Sequence, residues 1–197
     1  AYLSERALAW EWLAYVKLRA VAGAHELGQK VESEARRVIH EAARRMDDAE
    51  LRAETRRVRE RLERERSKRR GAGVDIKYGR GGMLDVYFAT RYLQLRDNVP
   101  DASGNRSTVK TLERLNQGKS LSDEDYAAMN EGYAVLRELD HNLRLIVGRS
   151  TRLPASDHPS LSDIARRMNS ASASALSDDL TTHMANIRAA YERITNG

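Results

Sequence analysis

Two cations, two acids and a run of glycines meet in one short stretch, and binding phosphate is the chemistry such a set could do. Residues 75–88 read DIKYGRGGMLDVYF. Lys77 and Arg80 are the candidate contacts to phosphate oxygens or to an acidic partner surface. Gly81 and Gly82 would let backbone come close to whatever is held, and a helix starting after them favours anions. Asp75 and Asp85 are read as supports of the turn. Gly-x-Gly-Gly alone is a weak phosphate signal, and a tight turn between an extended run and a helix explains it equally well.

Other constellations carry less. Asp140 falls between Leu136 and Leu143 on an apolar seam, where a lone buried charge would be costly. With His141 it forms a candidate buried polar pair, or it is an ion pair with Arg137 or Arg144. Asp123-Glu124-Asp125 looks acidic enough for a metal, but acids at a helix start are favoured by the macrodipole. Gly118-Lys119-Ser120 lacks the glycine five positions earlier, where Glu113 stands, so it is no P-loop. His25, His40, His158 and His183 have no metal-like spacing. No residue set is assigned a catalytic or metal-ligating role, and no cofactor is expected in this chain.

The elements that must position these residues read as helices. The 197 residues are 41% apolar, 32% charged and 6% aromatic, with three prolines and no cysteine. That balance suits a helical protein with long solvated faces and excludes disulfides and thiolate chemistry. No apolar run approaches the ~20 residues needed to span a bilayer, so a membrane is not expected and a cytoplasmic location is. Charge is uneven. Residues 51–70 hold nine Arg and one Lys against four Glu, within a chain of net charge +5. A solvated helix laced with pairs such as Glu60–Arg64 accounts for this. Nucleic acid is disfavoured as a partner because no aromatic interrupts the run.

Periodicity predicts a first helix from a Ser4 cap to about Val21, with one or both of Trp10 and Trp12 in the core. A second runs over 27–45. A third, basic helix starts at Asp47 or Asp48, shows a stripe of Leu51, Val58 and Leu62, and ends at Gly71 and Gly73. A short extended segment near 74–82 leads to a helix over 83–96. Residues 97–107 are a loop, and Ser107 caps a short helix. Ser122 opens the longest helix, a brief one spans 161–168, and the last starts at Ser174 or Ser177 with Leu176, Leu180, Met184, Ile187, Tyr191 and Ile194 in register. The expected fold is all-α, an antiparallel bundle of about six main helices plus short ones. It is expected as one helical domain over 1–197: three helices in 1–70, the glycine turn at 71–82, and the remaining helices in 83–197.

Taken in order, these segments resemble a known family. Trp10-Glu11, Ala14, Lys17, Arg19 and Val21-Ala22-Gly23 are similar to the WE..AL.KAR.VAG signature that follows the nucleotidyltransferase fold of glutamine synthetase adenylyltransferases. DIKYGRGGMLDVYF at 75–88 resembles that family's DIKLGPGGIRDIEF, and YAVLRELDHNLRL at 133–145 its Y.FLR.LEHRLQ. Thr151 with Leu153-Pro154 resembles TH.LP, and Leu180, His183, Ile187, Arg188 and Tyr191 fit the final helix. The same helical domain is shared with PII uridylyltransferases. Three positions depart: Leu84 stands where the family has Arg, Tyr87 where it has Glu and Arg91 where it has Gln.

The resemblance implies a parent enzyme that moves AMP from ATP to a tyrosine of glutamine synthetase, and its phosphorolytic removal. ATP and Mg2+ are implied for that parent. The metal carboxylates of such enzymes lie in a Gly-Ser…Asp-x-Asp pattern that this chain does not carry. The nucleotidyltransferase domain is therefore expected before residue 1. The chain is read as the accessory, substrate-docking helical domain, with that catalytic domain, glutamine synthetase and a PII signal protein as partners. The alternatives are a uridylyltransferase-type helical domain, a basic nucleic-acid-binding module, or a protein-interaction scaffold.

Overall fold

The computed structural model describes residues 2–67, 73–101, 105–148, 150–155 and 158–196, leaving aside the side chains of Ser4 and Ser67. The described residues are helical, with α1 (Tyr2–Glu5), α2 (Ala9–Tyr15), α3 (His25–Arg45), α4 (Asp48–Ser67), α5 (Met83–Arg96), α6 (Thr108–Gln117), α7 (Asp123–Ile146), α8 (Pro159–Arg167) and α9 (Ala173–Asn196). Extended pairing among them is a single antiparallel bridge between Asp75 and Arg152. The all-α class is as expected. The residues form two compact units, one of 1–58 with 88–122 and one of 59–87 with 123–197. The division falls within α4 and α5.

In the first unit, the helix expected over 4–21 is broken into α1 and α2, and 16–24 are not helical. Glu11 is the reason. Its Oε2 accepts the Leu8 N–H at 2.9 Å and starts a new helix at Ala9, while the Tyr2 hydroxyl donates to its Oε1 at 2.5 Å. The Trp12 indole N–H donates to the Leu3 carbonyl at 3.0 Å, which folds α1 back on α2. Burying the carboxylate without these donors would be costly. Trp12 is buried and Trp10 is exposed. Beyond α2 the chain fastens to α3, because Glu32 accepts the Ala20 N–H at 3.1 Å. The core of this unit holds Leu13, Ile39, Leu51, Tyr92, Leu93, Leu112 and Leu115. Residues 88–95 are buried without exception, so this part of α5 has no solvated face.

In the second unit, α7, α8 and α9 pack against one another. Met129, Leu136, Leu139 and Leu143 of α7 face Leu176, Leu180, Ile187 and Ile194. Gly132 lets α7 and α9 close up, since a Cβ there would stand 2.6 Å from the Ile187 side chain. Helix α8 starts at Pro159, one turn position that tolerates proline, with His158 Nδ1 accepting the Ser160 N–H at 3.2 Å. Helix α9 starts at Ala173, before the expected serines, because Ser172 Oγ takes the Ala175 N–H at 3.0 Å. The bridge segment is held by Ile76 N–H to the Thr151 carbonyl at 3.0 Å and Leu153 N–H to the Val74 carbonyl at 2.9 Å. The end predicted for the basic helix at Gly71 lies outside the described residues.

Candidate functional site

The glycine turn is a clasp most of whose backbone N–H groups are taken up from within. Asp75 Oδ1 accepts the N–H groups of Lys77 at 3.0 Å and Tyr78 at 2.9 Å, and the Asp75 carbonyl takes that of Gly79 at 3.1 Å. The Gly82 N–H goes to the Gly79 carbonyl at 3.0 Å, Met83 to Ile76 at 2.9 Å, Leu84 to Lys77 at 3.1 Å and Asp85 to Gly82 at 3.0 Å. The Gly81 N–H donates to Asp85 Oδ2 at 2.7 Å. The positive end of α5 is therefore met by its own first-turn aspartate. The glycines answer to packing. Gly81 has φ of 70°, and a Cβ on it would lie 1.8 Å from the Met184 carbonyl oxygen of α9. A Cβ on Gly82 would lie 2.8 Å from the Ile76 carbonyl oxygen. The close approach these residues permit is to the protein itself.

Asp85 is the centre of the arrangement, fully buried. Arg59 of α4, also fully buried, donates Nε to Asp85 Oδ1, and Arg188 of α9 reaches Oδ2 with Nη1 at 3.3 Å. Arg59 also holds the turn directly, donating to the carbonyls of Tyr78 at 3.1 Å and Gly79 at 2.8 Å, with Glu63 at 3.2 Å. The Arg188 guanidinium lies 5.0 Å from the Tyr191 ring centre. Burial, and then the Asp85 charge, push the Tyr191 phenol up to about 12. Arg59 was not singled out from the sequence. The signal was there, because an aspartate inside an apolar helix needs a cation. The buried row on α4 is Leu51, Thr55 and Arg59 at i, i+4, i+8, and Val58 and Leu62 are only half-buried.

Neither the lysine nor the arginine of the turn itself bonds to Asp85. Arg80 is exposed and donates to Glu192 at 2.9 Å. The half-buried Lys77 has its ammonium 5.5 Å from the Tyr78 ring centre, and among the described residues no carboxylate lies within ion-pair distance of it. Arg66 lies over the same ring at 5.3 Å.

The remaining candidates are dispersed. Leu139 occupies the seam position that the spacing gave to Asp140, since Leu136, Leu139 and Leu143 follow the 3–4 rhythm. Asp140 is only half-buried and accepts from Arg144 Nε at 2.9 Å, while His141 is exposed. They are therefore not a buried pair. Arg193 of α9 grips Asp125 at 2.6 Å and Glu124 at 3.0 Å, so the acidic triplet serves helix packing. The described part of the basic helix is laced by Arg57–Glu54, Arg61–Glu65 and Arg64–Glu60. Of the three departing positions, Leu84 and Tyr87 are half-buried and Arg91 is fully buried. Among the described residues no helix is long and apolar enough to cross a membrane.

The family model described as GlnD PII-uridylyltransferase matches residues 49–195, which include the whole clasp with Arg59, Asp85 and Arg188. The bifunctional glutamine synthetase adenylyltransferase/adenylyl-removing enzyme of Mycobacterium avium is 36% identical over 160 residues, covering 80% of this chain and 16% of the relative. The enzyme of the same description from Mycobacterium leprae is 34% identical over 159 residues, 80% of this chain and 15% of the relative. That from Mycobacterium tuberculosis is 35% identical over 147 residues, 74% of this chain and 14% of the relative. The chain thus spans 16% or less of the length of these curated relatives. With three quarters of its length under one family model, the chain belongs to the GlnD PII-uridylyltransferase family, in the company of glutamine synthetase adenylyltransferase/adenylyl-removing enzymes.

Proposed function

We propose that this chain is the helical accessory domain of an adenylyltransferase acting on glutamine synthetase. Its part would be to close one side of a nucleotide cleft and to dock the protein substrate. The observation that carries this is the joint one of high coverage of this chain and low coverage of the relatives: 80% of one aligns with 16% of the other. The remainder of a relative is then available for the chemistry, with ATP and Mg2+ held by a nucleotidyltransferase domain of the same parent. Glutamine synthetase and a PII signal protein are the proposed protein partners. Nucleotidyl transfer depends mostly on positioning and electrostatic stabilisation, so a neighbouring domain can change the rate without supplying a reacting group.

Lys77 is the residue of the turn proposed to act outward, on a phosphate or on the partner. Arg80 is proposed beside it, exchanging Glu192 for the incoming group. The test is Lys77→Ala in the intact parent enzyme, with transfer of AMP to glutamine synthetase measured against time. The rate should fall about tenfold, the effect of one charge-assisted contact, while the isolated chain keeps its helicity and melting temperature. Unchanged transfer removes Lys77 from the site. A uridylyltransferase-type role is the second reading, favoured by the description of the family model. Transfer of UMP to a PII protein in place of AMP to glutamine synthetase would select it.

A further inference from the structure

We propose that the groove between residues 18–24 and the first turns of α3 is the seat of another domain of the same parent chain, the nucleotidyltransferase domain, which docks there through apolar side chains. The inference rests on reading this chain as one domain of a longer enzyme, and it does not depend on the role of Lys77. The groove lies wholly within the first unit. It holds about 270 Å3 and is lined by Leu18, Ala20, Ala22, Leu27 and Val31. Leu27, Val31, Ala35 and Ile39 follow one another at four-residue steps, so they form one ridge along α3. The second half of that ridge is core, with Ala35 and Ile39 buried. The first half is bare: Leu27 is 63% exposed and Val31 56%. A single exposed leucine needs no explanation, but an apolar ridge continued into an open groove marks a contact surface.

The groove is built before anything enters it. The Ala20 N–H donates to Glu32 at 3.1 Å, and the Leu18 carbonyl accepts from Arg106 Nη1 at 3.3 Å. Arg106 also pairs with Glu32, which ties both anchors together. The wall stands close to α3 because residue 28 is glycine; a Cβ there would lie 2.7 Å from the Ala20 Cβ. An arriving surface therefore has no loop to order. Two observations select the occupant. The groove falls in residues 18–32, ahead of the 49–195 stretch that the family model describes, and a matched relative has 84% of its length outside the aligned region. The size of the groove points the same way. A free-standing interface buries about 1,200 Å2 or more, and one short ridge with its loop falls well short of that. A domain tethered in the same chain is held at about millimolar effective concentration, so a small apolar seat is enough for it.

The chain has no cysteine, so Leu27→Cys places one thiol in the groove. Its maleimide labelling is timed in the 197-residue chain and in the intact parent enzyme, with the site read by peptide mass mapping. Labelling should be about tenfold or more slower in the parent, and Val31→Cys should behave alike. Val109→Cys on α6, outside the groove, should react at one rate in both. Equal rates for Leu27→Cys in the two proteins overturn the proposal, and so does equal slowing at Val109→Cys. Slowing in the 197-residue chain that grows with its concentration overturns it in favour of a second copy. Slowing in the parent only after glutamine synthetase is added overturns it in favour of the protein substrate. Transfer of AMP by the same parent is followed in parallel. A shielded thiol without transfer upholds the docking seat and removes the adenylyltransferase reading; transfer with an open thiol does the reverse.

Discussion

Removing the Asp85 carboxylate should cost more than removing it together with its main partner. In Asp85→Ala, Arg59 stays with no exposed surface and loses its strongest acceptor. It keeps the carbonyls of Tyr78 and Gly79 and the partly exposed Glu63. Breaking a buried pair by deleting one member costs about 3–5 kcal/mol, and these surviving acceptors argue for the low end. The buried Gly81 N–H also loses its acceptor at 2.7 Å, which adds about 1–3 kcal/mol. The expected total is about 4–5 kcal/mol. In Arg59→Met with Asp85→Leu no charge of the pair is stranded, and the Gly81 N–H is the main loss, at about 1–3 kcal/mol. Far-UV circular dichroism in urea reads the loss, with exchange of the Gly81 amide as the local probe. With a slope of about 2–3 kcal/mol per molar, the Asp85→Ala midpoint should fall by about 1.3–2.5 M and the double variant by about 0.3–1.5 M. A double variant costing as much as the two single ones added together would refute the reasoning, because the pair would then have no coupling.

Gly81→Ala should destabilise by several kcal/mol, since the new methyl would meet the Met184 backbone at 1.8 Å and the residue has φ of 70°. Gly148→Ala, with φ of 91° and open space around it, should cost only about 1 kcal/mol, and equal losses in urea titrations of the two would show that the clasp does not press on α9. The Arg106 guanidinium, with further help from the Ala20 N–H and Arg36, holds the Glu32 carboxyl at about 2. Its folded value lies below the ordinary 4.5, so this stabilisation is present above about pH 4.5 and is lost as pH falls toward 2. Glu32→Gln should flatten the fall in thermal stability over that window, and an unchanged slope between pH 5 and 2 would exclude the attribution.

The helices and their apolar registers were legible because burial writes itself into spacing. Leu176, Leu180, Met184, Ile187, Tyr191 and Ile194 stand in α9 as their 3–4 rhythm requires. The glycine turn before α5 was equally plain. Polar burial was harder to read. Glu11 looks like any surface acid, yet its two oxygens hold the Tyr2 hydroxyl and the Leu8 amide and break the first helix. Arg59 sits in a run of arginines that are mostly solvated, and nothing in its neighbours along the chain separates it from Arg57 or Arg61. Only its partner 26 residues away does so. Asp140 misled for the opposite reason. A charge near an apolar seam draws notice, but one residue's rotation puts Leu139 inside and leaves Asp140 at the edge with Arg144.

The clasp also changes what the motif around residues 75–88 can mean. A glycine-rich turn ahead of a helix suggests a phosphate cradle when its amides are free. Here the amides from Lys77 to Tyr78 end on Asp75, that of Gly81 ends on Asp85, and those of Gly82 to Asp85 end on carbonyls of the turn itself. A phosphate reaching the Gly81 amide would have to displace the Asp85 carboxylate, and with it the strongest acceptor of the buried Arg59. Lys77 lies against the Tyr78 ring with no carboxylate within ion-pair distance among the described residues, so its charge is not spent on holding the turn. The buried aspartate and its two arginines fix the turn, and through it the backbone that carries Lys77.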